Sequence, residues 1–141
     1  MTQQPLHDDS TNVGFKSDSR DDNQVKLVAV KAYVRLTAAW KLTNPIAGKM
    51  ISVSPRTWAR MKNGTWDGQL NQDQLMRLSA IIGLYKGLHL YFGDNIADRW
   101  VTLHNDGPMF SGRRPIDAMI DGGLPMIMET RNYVDALRGG M

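Results

Sequence analysis

With 141 residues, 42% of them apolar, the chain has material for one core or for two small helical units sharing one; a mean hydropathy of -0.37 and the lack of a long apolar run leave no membrane span. Zero cysteines exclude disulfides, thiolate catalysis and thiolate metal sites, and the three histidines, His7, His89 and His104, are too scattered for a metal centre. The net charge of +3 is unevenly spread: residues 1–22 hold two basic and five acidic side chains, 23–66 eight basic and none acidic, and 67–141 seven basic and nine acidic. A long segment without a carboxylate marks contact with a polyanion.

Residues 1–22 are polar, with only Leu6, Val13 and Phe15 large and apolar, and are expected as a flexible arm. Their Gln- and Asp-rich start lacks the basic and then apolar pattern of a signal peptide, which predicts a cytoplasmic protein. From Asn23 to Leu42, the residues Val25, Val28, Ala32, Leu36 and Ala39 recur at helical spacing, widened by Val30, Tyr33, Val34 and Trp40. This predicts a first helix, stopped at Asn44-Pro45 because the residue before proline avoids the helical region.

Pro45 then opens a short helix through Met50, broken at Ser52-Val53. Ser54 caps a further helix that starts at Pro55 and stops at Asn63-Gly64, and the pair has the proportions of a helix-turn-helix. Trp58 and Met61 suit the core side of the second helix, whereas Arg56 and Arg60 share another face with Thr57 and Lys62 nearby. Guanidinium groups suit guanine edges or phosphates, and hydroxyls suit backbone or base contacts. Ser54, Arg56, Thr57, Arg60 and Lys62 are therefore the candidate DNA contacts. A plain helical hairpin with solvated arginines is the alternative, and the charge segregation favours DNA.

Thr65 to Gly68 reads as a turn with Trp66 tucked against the first helix, and Asn71 leads into a long helix with Leu75, Leu78, Ile81, Ile82, Tyr85, Leu88 and Phe92 at core spacing. Gly83 and Gly87, four apart, read as a packing notch in preference to a dimer seam. Gly93 ends that helix, and Asp94 or Asn95 caps another carrying Ile96, Ala97, Trp100, Val101 and His104. The chain breaks at Asn105-Asp106-Gly107-Pro108, buries Phe110, turns at Gly112 and restarts at Pro115. A short helix to Ile120 ends at Gly122-Gly123, and Pro125 begins the last one, with Ile127, Met128, Thr130, Arg131, Val134, Leu137 and Arg138 on its surfaces.

The ordered set Trp100, Asn105, Phe110, Gly112, Pro115, Gly122 and Tyr133-Val134-Asp135-Ala136-Leu137 resembles the C-terminal domain of the Xre/MbcA/ParS antitoxins. The resemblance covers about residues 90–141 well and 25–89 more loosely. It implies an all-α fold in which an Xre-like helix-turn-helix unit, 23–92, is followed by a small helical toxin-binding domain, 93–141. It also implies a RES-domain toxin as partner, acting on NAD by consuming it or transferring ADP-ribose. The C-terminal helix and tail, Tyr133 to Met141, would lie on that toxin and enter its cleft.

The candidate toxin-binding residues are accordingly Phe110, Arg113, Arg114, Arg131, Tyr133, Arg138, Gly139, Gly140 and Met141. The Arg113-Arg114 pair is less typical of the motif loop and is open to toxin, DNA or solvent. Operator binding by a homodimer would repress the chain's own operon. A stand-alone helix-turn-helix regulator whose C-terminal region only dimerises is the alternative. No phosphate loop, zinc-binding His pair or nucleophile elbow is present, so neither catalysis nor a cofactor or metal is expected.

Overall fold

The computed structural model describes the backbone of residues 3–139 and the side chains of residues 21–139, and every regular element among them is helical. The helices are α1 (Gln3–Ala39), α2 (Asn44–Met50), α3 (Pro55–Asn63), α4 (Gln72–Phe92), α5 (Asp94–Ala97) and α6 (Pro115–Arg138), with a 3-10 turn at Trp100–Thr102 between the last two. No helix among the described residues is long and apolar enough to cross a membrane.

Local chemistry accounts for most boundaries. Thr43 and Ser54 cap α2 and α3, accepting from the Ile46 and Thr57 N–H groups at 3.4 and 3.1 Å, and each helix has a proline in its first turn. Asn71 and Gln74 form a reciprocal capping box at the start of α4, with bonds of 2.8 and 2.9 Å. α1 closes earlier than the Asn44-Pro45 stop. Lys41 takes a φ of 57°, and the Leu42 N–H returns to the Thr37 carbonyl at 3.0 Å.

One hydrophobic core runs from Val30 of α1 to Val134 of α6. α4 is its axis, packed on α1 on one side and, most extensively, on α6 on the other. The two glycines of α4 make that second contact close. A Cβ on Gly87 would lie 3.3 Å from both Val134 Cγ1 and Asp135 Oδ1, and one on Gly83 would lie 2.5 Å from Arg131 Cζ. The notch therefore receives a helix of the same chain.

Two expectations are corrected. The stripe on α1 is Val30, Tyr33, Leu36, Thr37 and Trp40, while Val25 and Val28 stand 65% and 66% exposed. The buried face is rotated from the expected one: Val28 lies about 200° around the helix from Val30, and the loop at 66–69 lies alongside Asn23, Lys26 and Leu27, not Val25 and Val28. The single helix expected around Ile96 to His104 is instead α5 and the 3-10 turn, because Leu103 becomes extended and His104 Nδ1 meets the Gly112 carbonyl at 2.9 Å. Helical backbone also begins at Gln3, within the stretch expected as a flexible arm; its proline, Pro5, falls in the first turn, where a missing N–H is tolerated. The side chains of 1–20 lie outside the described residues.

The break at Gly122-Gly123 appears as a bend within α6. Gly123 has φ 65° and ψ −154°, a conformation that favours glycine, and Pro125 resumes the helix two residues on.

Candidate functional site

The first candidate surface is built on α2 and α3, joined by a short turn at residues 51–54. Tyr33 anchors it to α1: its hydroxyl donates to the Ala47 carbonyl at 2.6 Å, and its ring meets Trp58 edge-on at 5.5 Å. Burial pushes the Tyr33 phenol far above its usual pKa, so it stays a neutral donor. From the other side Gln74 Nε2 donates to the Ser52 carbonyl at 2.8 Å, tying the turn to α4. With Trp58 and Met61 buried, the helical repeat turns Arg56, Ala59, Arg60 and Asn63 away from the core.

The five sequence candidates on α3 separate into three groups. Arg56 is exposed and makes no ion pair among the described residues, whereas Arg60 Nη2 reaches Asp67 Oδ1 at 3.4 Å. Ser54 and Thr57 are engaged with each other, the Ser54 hydroxyl donating to Thr57 Oγ1 at 3.1 Å while it also caps the helix. Lys62 turns to the flank facing α2, where its Nζ donates to Asn44 Oδ1 at 3.0 Å. The Trp58 indole N–H reaches the same oxygen at 3.1 Å.

The second surface is the loop between the 3-10 turn and α6, with the α6 helix itself. Asn105 Oδ1 accepts from the Gly107 N–H at 2.9 Å, and Asn105 exchanges backbone bonds with Gly112 and Arg113 at 2.7 and 3.1 Å, closing the loop on itself. Phe110, 2% exposed, fills the inside. It meets Trp100 and Tyr133 edge-on at 5.7 and 6.0 Å, and Trp100 stacks over Tyr133 at 6.4 Å. Phe110 is thus a clamp within the fold and offers no surface to a partner.

The basic candidates of this region all have carboxylate partners. Arg113 pairs with Asp121, and Arg114 grips Asp117 through two bonds of 2.7 and 2.9 Å. That hydrogen bonding holds the Asp117 carboxyl below the usual carboxylate range, and it raises the Arg114 guanidinium. Arg131 and Arg138 flank Asp135 at 3.6 and 3.3 Å, the first lying over Gly83. Gly139 is exposed at the helix end, and Gly140 and Met141 lie outside the described residues.

Sequence reasoning passed over Asn44, Pro55, Ala59 and Asp67 on the first surface. His89 closes the corner between α4 and α5: its ring nitrogens lie 2.8 and 2.9 Å from Asp94 and Asp98, and its ring packs at a tilt against Tyr85 with centroids 4.3 Å apart. Burial and these two carboxylates raise the Tyr85 phenol. For Asp67 a signal existed: it is the first acidic residue after the carboxylate-free segment, seven positions from Arg60.

These features define an all-α protein. No family model and no solved structure matches the chain. It is 32% identical over 126 residues to the uncharacterized protein y4oB of Sinorhizobium fredii (strain NBRC 101917 / NGR234), a match covering 88% of this chain and 94% of that protein. The chain belongs to the family of y4oB.

Proposed function

We propose that this chain is an antitoxin of the Xre/MbcA/ParS type, which neutralises a RES-domain toxin acting on NAD and binds operator DNA as a homodimer. DNA contact is made by the outward face of α3, with Arg56 as the free guanidinium and Arg60 released from Asp67 on binding. The observation that carries the DNA side is the charge segregation. Residues 23–66 hold eight basic and no acidic side chains, and Arg56 stands exposed on α3 without a carboxylate partner among the described residues.

The toxin side is supported by the motif residues Trp100, Phe110 and Tyr133, which meet in one aromatic cluster under the Asn105 loop. On this reading the partner meets the exposed side of α6 and the residues beyond it, with Arg138 and Gly139 on the way. One observation favours the alternative of a stand-alone regulator that uses this region for dimerisation. Arg113, Arg114, Arg131 and Arg138 are already paired within the chain, so they leave little free charge for a partner.

The test is co-expression with a RES-domain protein encoded beside it, reading growth and the mass of the purified complex. Full-length protein is compared with a version lacking residues 139–141, which keeps buried Val134 and the Tyr133 stack, and with Arg138→Glu. Rescue of growth with a stable complex, weakened by either change, is the expected result. A RES-domain protein that neither binds nor is silenced by the full-length chain refutes the antitoxin reading.

A further inference from the structure

The flank of α3 that faces the start of α2 carries a groove of about 470 Å³, walled by Asn44, Pro45, Pro55, Trp58, Ala59 and Lys62. Its surface is mostly apolar. The polar atoms at its edge are already engaged, since Asn44 Oδ1 accepts from both the Trp58 indole and the Lys62 ammonium. Pro55 and Ala59, four apart, are both exposed and form one ridge along the helix. The groove therefore offers apolar contact and few free hydrogen-bonding groups, with one cation at its rim.

Two constraints select its occupant. The surrounding segment, 23–66, has eight basic side chains and no acidic one, so the complementary partner is a polyanion. A base edge presenting donors or acceptors to an apolar surface would be left unpaired at a cost. The major groove of a duplex offers one wholly apolar group on a base, the C5-methyl of thymine. We propose that the Pro55–Ala59 ridge reads thymine methyl groups, with Lys62 directed to the adjoining phosphate; this rests on the DNA-binding reading above. Ala59 and Pro55 then determine sequence preference, while Arg56 and Lys62 supply the contacts that carry charge.

The experiment uses the full-length protein and a randomised duplex pool, from which the tightest sequence is selected at fixed salt. That duplex and a copy with uracil in place of every thymine are compared by fluorescence anisotropy. Uracil lacks only the methyl group, so each buried methyl lost weakens binding by about four-fold. Ala59→Gly, checked for helix content, brings the thymine-to-uracil ratio towards one, and Lys62→Gln lowers affinity for both duplexes alike. Tight binding by the wild-type protein with equal affinity for both duplexes overturns the thymine assignment and leaves DNA binding standing. Absence of any salt-sensitive binding overturns both.

Discussion

Replacing Phe110 by alanine is the sharpest test of how the loop at residues 105–113 is held. The ring is 2% exposed and makes edge-on contacts to Trp100 and Tyr133 at 5.7 and 6.0 Å. Truncating a buried phenylalanine costs about 3–5 kcal/mol through lost transfer energy and the cavity left behind. Each aromatic pair adds about 0.5–1.5 kcal/mol beyond area burial, which places Phe110→Ala towards the top of that range. Phe110→Leu keeps most of the apolar volume and loses the edge-on geometry, so it should cost roughly 1–2 kcal/mol. Urea unfolding followed by circular dichroism reads both values, and an unchanged slope licenses the comparison. A loss below about 1 kcal/mol for the alanine variant would mean that the loop holds its shape through Asn105 and the Gly112–Arg113 backbone bonds alone, and the clamp argument would fail.

Three further outcomes follow from the same geometry. Ser54→Ala removes the acceptor for the Thr57 N–H and should lower stability by about 1 kcal/mol, whereas Ser54→Asp, which caps equally well, should not; thermal melts distinguish them. Asp67→Asn frees Arg60 from its carboxylate, and on the DNA-binding reading it should raise affinity for mixed-sequence duplex and steepen the salt dependence by about one unit of slope. Arg114 holds the Asp117 carboxyl low, so the stability of that pair is present above the usual carboxylate range and lost as pH falls through the lowered value; the side chains are 34% and 39% exposed, so the effect is small and salt-screened. Asp117→Asn should flatten the acid limb of the melting temperature against pH, and an unaltered limb would exclude this pair as its source.

Caps, stops and notches were legible in the sequence because they depend on a few adjacent residues. Ser54-Pro55, Asn63-Gly64, Gly122-Gly123 and the Gly83/Gly87 pair each act where they were read. The depth of each helix in the core was less legible. Val25 and Val28 line up with Ala32 and Ala39 on a stripe rotated from the buried one, and period alone does not say which apolar stripe meets the core. The pairings that reshape the candidate site were not legible at all. Arg60 with Asp67, Lys62 with Asn44 and His89 between Asp94 and Asp98 depend on where loops return, which no local pattern encodes. The unpaired charge on the outward face of α3 is narrower for that reason, with Arg56 making no ion pair among the described residues and its neighbours engaged.

The sequence suggested a boundary between residues 92 and 93, and the packing crosses it. Gly93, with a φ of 80°, does end α4 there, yet the core continues from Trp40 on Tyr85 through Leu84 and Leu88 to Val134 of α6 in the notch of α4. A separate C-terminal domain would need its own core. Here the apolar side of α6 is covered mainly by α4, which also holds the turn before α3 through Gln74 and Ser52. Removing α6 would expose the glycine face of α4, so neither half is expected to keep its structure without the other. The consequence is a single cooperative unfolding transition. The tryptophans supply the probes, since Trp40 and Trp58 are buried before the boundary and Trp100 after it. Fluorescence of the wild-type protein and of Trp100→Phe should give the same urea midpoint, once the variant's own destabilisation is measured by circular dichroism, and calorimetric and van 't Hoff enthalpies should agree. A Trp100 signal that melts apart from those of Trp40 and Trp58 would show two independent units, and α4 would then serve one of them alone.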